Sequence, residues 1–181
     1  MIRFRHLERG GRYLRVADPS WSRTLDPSYA QLAGGRWNPP ASFPVLYLCA
    51  DLAVARANVL RRFAGLPYGV LDLVPDRRPI LVDTDVPPAR VVDLVGDAGC
   101  SAAGLPTTYP FDARARRIGW NATQPIGLAA WDQGERGLAC RSAALGTGER
   151  GEELAWFVRE RTDRLRVAGR RGFDAWFPPA R

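Results

Sequence analysis

The sequence has no lysine and a single histidine. Its 26 basic residues are all arginine, and with 19 acidic residues they give a formal net charge of +7. With one imidazole, at His6, the chain has little from which to build a Ser-His-Asp triad or a histidine-rich metal centre, and we expect His6 at the surface or in a linker. Exclusive use of arginine is typical of a GC-rich genome, so we do not expect nucleic-acid binding from charge alone. The charge still suits an anionic small molecule or an acidic partner.

Cysteines and long apolar runs are also scarce. Cys49, Cys100 and Cys140 lie far apart and form no C-x-x-C pair, which argues against a disulfide framework and against a zinc site. We expect buried free thiols and no metal. No stretch reaches the roughly 18–20 apolar residues of a membrane span, and the first residues lack the apolar core of a secretory signal. We therefore expect a cytoplasmic protein with no membrane contact.

Hydrophobic patterns and turn residues predict one α+β domain over residues 1–181, with a central mixed β-sheet flanked by helices. Predicted strands cover 12–17, 45–50, 69–74, 79–84, 89–95 and 137–145, and a predicted hairpin covers 153–160 and 163–169. Predicted helices cover 51–65, 111–120 and 123–133, the first of them capped by Asp51 and ended by Gly65. The segments 18–44 and 97–110 are predicted loops. A loop as long as the first is usually functional.

The stretch GGRWNPP, at 34–40, holds a cation, a large ring and an amide between two glycines and two prolines. Arg36 can donate two parallel hydrogen bonds to a pyrophosphate or a carboxylate. Trp37 and, further along, Tyr47 offer flat faces to an aromatic ring, and Ser142 can donate to an anion. Together these residue types suit a ligand with phosphates and flat rings, such as a dinucleotide.

Each of these residues also has a purely structural interpretation. Arg36 can stack at the surface on Trp37, Tyr47 can belong to the core, and Asn58 can lie on a solvated helix face. The chain has no G-x-G-x-x-G after a strand and no Walker A motif, so neither of those nucleotide sites is expected. Residue types alone leave the two interpretations open.

The order and spacing of the residues resemble the RES domain family. The resemblance is carried by the strand RYLRVA followed by GGRWNPPASFPVLYLCADLAVARANVL, and more weakly by TQPIGLAAWDQGERGLACRSAA, and it covers roughly residues 12–170. It implies a fold similar to ADP-ribosyltransferases and a toxin that degrades NAD, in some members by phosphorolysis to nicotinamide and a phosphorylated ADP-ribose. It implies NAD as substrate, inorganic phosphate as a co-substrate and no cofactor. It also implies an Xre-type antitoxin as partner, and makes a homo-oligomer plausible.

The resemblance further implies roles for individual residues. Arg36 would hold the pyrophosphate or an incoming phosphate, Tyr47 would pack on the nicotinamide or its ribose, and Ser142 would bind phosphate. The family's glutamate, eleven residues after the tyrosine, is Asn58 here, which would touch the ribose. The residues expected to bind NAD outside catalysis are Arg15, Trp37 and Asn38.

The asparagine at position 58 matters because nicotinamide–ribose cleavage passes through an oxocarbenium-like state that a carboxylate stabilises. Asn58 keeps an acceptor oxygen but has no charge, and losing one such group costs about 10²–10³ in rate. Three outcomes follow. The enzyme is slow or altered; or the protein binds NAD, an ADP-ribose-like ligand or a protein without catalysis; or another carboxylate, from Glu135, Glu152 or Glu153, takes the place. Asp51, almost two turns before Asn58, is expected only to cap its helix.

Overall fold

The computed structural model describes residues 2–160 and 165–177. The strands are β1 (His6–Ala17), β2 (Val45–Cys49), β3 (Ile80–Leu94), β4 (Gly137–Arg141), β5 (Glu152–Phe157) and β6 (Arg166–Arg171). The helices are α1 (Ser28–Ala33), α2 (Leu52–Phe63), α3 (Asp97–Ala102), α4 (Trp120–Asp132) and α5 (Phe173–Trp176), with 3₁₀ turns at Val70–Asp72 and Pro75–Arg77. This order confirms the α+β class.

The strands form one mixed sheet in the order β1-β2-β5-β4-β3-β6. Strand β1 pairs with β3 as well as with β2, so five strands form a closed circuit of hydrogen-bonded pairs and β6 adds to β3. All the pairs are antiparallel except β3 with β4. Strand β3 makes the closure because it pairs with β1 from Ile80 to Val92, while its end, Val92–Leu94, pairs with β4. Strand β6 pairs with the first part of β3.

Apolar side chains cover both faces of the sheet. One face buries a cluster that includes Leu46, Leu48, Leu154 and Trp156. The other face buries a cluster that includes Val45, Ala155, Phe157 and, from α4, Ile126 and Ala130. Because side chains alternate along a strand, successive residues of β5 belong to opposite faces. This alternation decides which of two adjacent glutamates reaches the functional site.

Several local predictions are confirmed. Helix α2 begins where expected, since the Asp51 carboxylate accepts a hydrogen bond from the Val54 backbone N–H at 2.8 Å. Strand β2 and helix α4 also lie where their apolar patterns indicated, although α4 begins at Trp120. All three cysteines are free and buried. None of the helices in the described part of the chain is long and apolar enough to cross a membrane.

The predicted strands at 79–84 and 89–95 are one strand, β3. Pro87 and Pro88 do not break it because they form a bulge in β3: the register passes from Arg9–Ala89 to Gly11–Val86, so the two prolines lie opposite the single residue Gly10 of β1. Proline is tolerated at a bulge, where its missing N–H leaves no gap in the ladder. A side chain at Gly10 would put its Cβ 2.7 Å from the Pro88 Cα, so a glycine is needed for the two strands to approach this closely.

Two other predicted elements are wrong. Segment 69–74 forms a 3₁₀ turn in place of a strand, with the Asp72 carboxylate accepting from the Gly69 N–H at 2.7 Å. Segment 111–120 is irregular up to Trp120, because the Asp112 carboxylate accepts from the backbone N–H groups of Arg114 and Arg116. Such bonds from a short acidic side chain compete with the helical ladder. The predicted loops, in turn, contain α1 and α3.

The predicted hairpin of 153–160 and 163–169 is also wrong in its pairing. Strand β5 lies between β2 and β4, and β6 pairs with β3. Residues 161–164 of that prediction lie outside the described residues. The predicted strand 137–145 ends at Arg141, and the first predicted strand begins earlier, at His6.

Candidate active site

A cavity of about 630 Å³ opens beside β1, β2 and α2. Its size falls within the range of small-molecule sites. The charged side chains that line it are Arg15, Arg36, Arg61, Arg62 and Glu153, and the rings are Trp21, Tyr29, Tyr47 and Trp120. With four guanidinium groups to one carboxylate, the cavity is suited to an anion that carries aromatic rings.

Arg15 reaches the cavity from β1 and is 6% exposed. Its Nη2 donates to the backbone carbonyl of Asp26 at 3.3 Å, and the guanidinium lies 5.7 Å from the centroid of the Trp21 ring. The Nη1 atom is buried and has no hydrogen-bond partner among the described residues. Burial lowers the pKa of Arg15 to about 10. A buried cation with an unused donor fits an anionic ligand atom.

Arg36 lies in the GGRWNPP loop, which α4 holds in place. Its Nη1 donates to the Ile118 carbonyl at 3.0 Å. The Arg36 carbonyl accepts from Thr123 Oγ1 at 2.6 Å, and the Gly35 carbonyl accepts from Gln124 Nε2 at 2.9 Å. The helix therefore fixes the loop backbone while the Arg36 side chain keeps further donors for the cavity.

Tyr47 lines the cavity and is bonded to the same loop. Its hydroxyl accepts from the Trp37 backbone N–H at 2.9 Å and donates to Asn38 Oδ1 at 2.7 Å. Burial raises the pKa of Tyr47 well above its usual value, so the phenol stays neutral at physiological pH. A Cβ at Gly35 would lie 2.5 Å from this hydroxyl, which explains the second glycine of the loop.

Trp37 and Asn38 lie behind the cavity wall and do not line it. The Trp37 ring is 1% exposed and packs 5.9 Å from the Tyr109 ring. Asn38 is fully buried, and its Nδ2 donates to the Ala30 carbonyl at 2.6 Å. The predicted NAD contacts of these two residues are therefore not supported by their positions. Trp37 packs in the core, and Asn38 anchors the loop and Tyr47.

Asn58, Ser142 and Glu153 form one cluster. Glu153 Oε1 accepts from Ser142 Oγ at 2.5 Å and from Asn58 Nδ2 at 3.1 Å. Asn58 Nδ2 also lies 3.2 Å from the Val54 carbonyl. Ser142 is 4% exposed and is not among the residues that line the cavity. It is linked to the cavity by its hydrogen bond to Glu153. The cluster joins α2, the end of β4 and β5.

The remaining carboxylate candidates lie elsewhere. Glu152 accepts from Arg9 Nε at 2.7 Å and from the Tyr13 hydroxyl at 3.0 Å. Glu135 lies 2.8 Å from His6 Nε2. His6 is partly exposed and begins β1, so it is not a linker residue. Among the described residues, Glu153 is the one carboxylate that lines the cavity.

Sequence reasoning missed Arg61 and Arg62. Both lie on α2, three and four residues after Asn58, and they line the same cavity. Residues three and four apart share a helix face, so this spacing was the signal that could have found them. Partial burial lowers the pKa of Arg61, and the nearby positive charges of Arg117 and Arg36 lower it further. Positive charge is thus concentrated on one wall.

Substituting phenylalanine for Tyr47 is expected to lower the free energy of unfolding by about 1–3 kcal/mol. The change leaves the Trp37 N–H and Asn38 Oδ1 buried without a partner, and each unsatisfied group has a cost of that order. Urea denaturation measures it. Tyr68→Phe, at a half-exposed tyrosine, is the control and should change stability by less than about 0.5 kcal/mol. Equal stability of the two variants would contradict the role given to the Tyr47 hydroxyl.

These features define a class: an α+β protein with an arginine-lined cavity that also holds aromatic rings. The RES domain model matches residues 11–172, and the chain belongs to the RES domain family. The resemblance seen in the sequence is therefore confirmed.

The curated relatives include the NAD(+) phosphorylase MbcT of Mycobacterium tuberculosis and that of Mycobacterium bovis. Each is 34% identical over 104 residues, which are 56% of this chain and 52% of the relative. The chain thus matches about half the length of these relatives. The fold is similar to a crystal structure of the M. tuberculosis MbcT–MbcA toxin–antitoxin complex, with a TM-score of 0.73 and 24% identity over 92% of this chain and 85% of that chain. At that identity the likeness shows the fold.

Proposed function

We propose that this protein is a RES toxin that degrades NAD⁺ by breaking the nicotinamide–ribose bond. The observation that carries the proposal is a cavity with four arginines, one carboxylate and Tyr47, in a chain of the RES domain family. The name of the MbcT relatives, NAD(+) phosphorylase, supports phosphate as the second substrate. Localisation in the cytoplasm is proposed on the ground that NAD⁺ is available there.

The arginines suit the charged parts of the two substrates. Arg15, with its unused Nη1, and Arg36, held by the Ile118 carbonyl, would hold the pyrophosphate of NAD⁺. Arg61 and Arg62, on the α2 wall, would attract the incoming phosphate dianion. The Tyr47 ring would pack on the nicotinamide or its ribose.

The reaction would be a displacement at the anomeric carbon of the nicotinamide ribose. The carbon–nitrogen bond breaks, and its electron pair leaves with nicotinamide, whose ring nitrogen becomes neutral. An oxygen of the phosphate dianion forms the new bond to that carbon. The products are nicotinamide and a phosphorylated ADP-ribose. The phosphate dianion is already a nucleophile, so no side chain of the cavity needs to remove a proton from it. Tyr47, whose pKa is raised by burial, stays neutral.

An antitoxin protein is proposed as the partner. The support is the crystal structure of a relative as a toxin–antitoxin complex, which has the same fold. An Xre-type partner and a homo-oligomer remain predictions.

Purified protein incubated with NAD⁺ is expected to release nicotinamide, and phosphate is expected to raise the rate. Chromatography of the products measures both. If nicotinamide is released equally fast in phosphate-free buffer and the other product is unphosphorylated ADP-ribose, the reaction is hydrolysis and not phosphorolysis. Thermal stabilisation by NAD⁺ without any nicotinamide would contradict the proposed enzyme and support a binding module.

A further inference from the structure

The alternation of β5 selects Glu153, and not its neighbour Glu152, for the cavity. Glu152 faces the opposite side of the strand, where Arg9 and Tyr13 hold it. Glu153 lines the cavity with Arg15 and Arg36. Because the two positions differ by one residue in a strand, their side chains cannot exchange faces without a shift of register.

The fold surrounds the base of Glu153 with neutral groups. In the sheet, Glu153 is paired with Cys49 of β2 and with Cys140 of β4. Burial raises the pKa of both thiols well above the usual value, so neither carries charge at physiological pH. The hydrogen bonds that Glu153 accepts come from Asn58 and Ser142, which are also neutral donors. Its negative charge is therefore not neutralised by a bonded cation.

Both donors converge on one oxygen. Asn58 Nδ2, at 3.1 Å, and Ser142 Oγ, at 2.5 Å, meet at Oε1. Within residues 2–160 and 165–177, Oε2 accepts no hydrogen bond from another residue. The arrangement holds the carboxylate in one orientation while leaving an acceptor for a ligand hydroxyl.

Asn58 is placed to hold Glu153 and not to replace it. Its amide nitrogen is close to Cys49 Sγ and the Val54 carbonyl as well as to Glu153, so the amide is fixed from several sides. An amide has no net charge to offer a cationic transition state, but its N–H orients the carboxylate. The negative charge expected from α2 thus lies one hydrogen bond away, on β5.

We propose that Glu153 is the carboxylate of the reaction, and that Asn58 and Ser142 are positioning residues for it. The inference rests on the proposed cleavage of NAD⁺. As the bond between the anomeric carbon and nicotinamide breaks, positive charge develops on the ribose, and the Glu153 carboxylate stabilises it. Its free oxygen accepts from a ribose hydroxyl. Glu153 forms no covalent bond, and phosphate supplies the new carbon–oxygen bond.

This assignment changes what a glutamate at position 58 would do. In Asn58→Glu, two carboxylates would lie where Asn58 Nδ2 and Glu153 Oε1 now lie 3.1 Å apart. Like charges that close cannot both ionise readily, so one would hold a proton. The single substitution is therefore expected not to raise activity, whereas moving the charge across the pair is expected to restore part of the activity that Glu153→Gln loses.

The test is the rate of nicotinamide release by Glu153→Gln, with NAD⁺ and phosphate both varied. The substitution keeps the shape and removes the charge, so kcat should fall about 10²–10³-fold. KM for NAD⁺ should change by less than about threefold, because the lost interaction strengthens only in the transition state. Glu152→Gln is the matched control on the opposite face. It should lower Tm by leaving Arg9 without its charged partner, and keep kcat.

The double variant Asn58→Glu/Glu153→Gln supplies the second measurement, which also decides the matter if Glu153→Gln does not fold. It restores one carboxylate to the cluster and should release nicotinamide at least about tenfold faster than Glu153→Gln. If Glu153→Gln does not fold, the double variant should still show measurable turnover. Full activity of Glu153→Gln, or an inactive but folded double variant, would overturn the role given to Glu153 and leave the proposed function standing. A wild-type protein that binds NAD⁺ and releases no nicotinamide would overturn the proposed function, and the inference with it.

Discussion

Replacing Arg15 with methionine is expected to make the protein more stable and less active. Arg15 is 6% exposed, and within the described part of the chain its Nη1 has no hydrogen-bond partner. Burying an unsatisfied polar group costs about 1–3 kcal/mol. Methionine fills similar space without that cost. A gain of about 1 kcal/mol would raise Tm by about 2–4 °C in a chain of this size.

The cost of burying Arg15 is present throughout the physiological pH range. Burial lowers the pKa of Arg15 to about 10 in the folded protein, well below that of an exposed arginine. Below pH 10 both the folded and the unfolded chain carry the charge, so the penalty on folding is complete. It is relieved only as pH rises through about 10, where the folded chain loses the proton first. The Tm gain of Arg15→Met should therefore be constant between about pH 6 and pH 8.

The same substitution should lower kcat/KM for NAD⁺ about 10²-fold. Two hydrogen bonds from a guanidinium to a pyrophosphate are each of the order of 1.5–3 kcal/mol, and about 1.4 kcal/mol corresponds to a tenfold change in rate. Differential scanning fluorimetry and nicotinamide release measure the two effects on one preparation.

Arg12→Met is the matched control on the same strand. Arg12 is largely exposed and forms an ion pair with Asp85 at 3.1 Å, so its loss should leave activity unchanged and not raise Tm. An Arg15→Met protein with wild-type activity would contradict the placement of the pyrophosphate. A lower Tm would contradict the view that Arg15 is retained for ligand binding at a cost in stability.

Placing alanine at Gly127 is expected to destabilise the protein by about 3 kcal/mol or more, which is large for one methyl group. A Cβ there would lie 1.8 Å from the Trp37 carbonyl oxygen and 2.7 Å from its carbonyl carbon. The clash is with backbone, which cannot rotate away as a side chain can. Helix α4 or the GGRWNPP loop must move, and Arg36 moves with the loop.

Urea denaturation measures the Gly127→Ala effect, and the loss of activity should exceed the loss of folded protein. Gly172→Ala is the control, since no atom of residues 2–160 or 165–177 lies within 4 Å of its added Cβ and its φ is −63°. That variant should differ from wild type by less than about 0.5 kcal/mol. If both variants are equally stable, α4 does not support the loop as closely as the structure indicates.

The parts of the fold that the sequence predicts are those set by local patterns. The Asp51 cap and the apolar spacing after it define α2, and the run VLYLC defines β2. Segment 69–74 has the alternation of a strand, but the Asp72 side chain bonds to Gly69 and the segment closes into a turn. Whether an extended segment finds a partner depends on distant residues. For the same reason, the pairing of β1 with β3 could not be read from either strand.

The positions of the site residues were predicted unevenly. Arg36, Tyr47 and Asn58 line one cavity, because a loop, a strand and a helix follow one another directly between them. Trp37 and Asn38 turn the other way, since the direction of a side chain in an irregular loop follows from backbone bonds such as that of Arg36 to Thr123. The roles in catalysis remain predictions for all of these residues.

The choice among the three glutamates needed the sheet. Strand alternation separates Glu152 from Glu153, but only the pairing of β5 with β2 and β4 shows which face holds Tyr47. Glu135 lies beyond α4 and pairs with His6, a contact between residues 129 positions apart. The sequence named Glu153 as one of several candidates, and three-dimensional pairing selected it.

Cleavage of NAD⁺ in the presence of phosphate labelled with oxygen-18 tests the central claim most directly. Mass spectrometry should find nicotinamide and a phosphorylated ADP-ribose in equal amounts, with the label of the phosphate retained in the sugar phosphate. Unlabelled ADP-ribose as the sole sugar product would contradict phosphorolysis. NAD⁺ that stays intact beside folded protein would contradict the proposed activity itself.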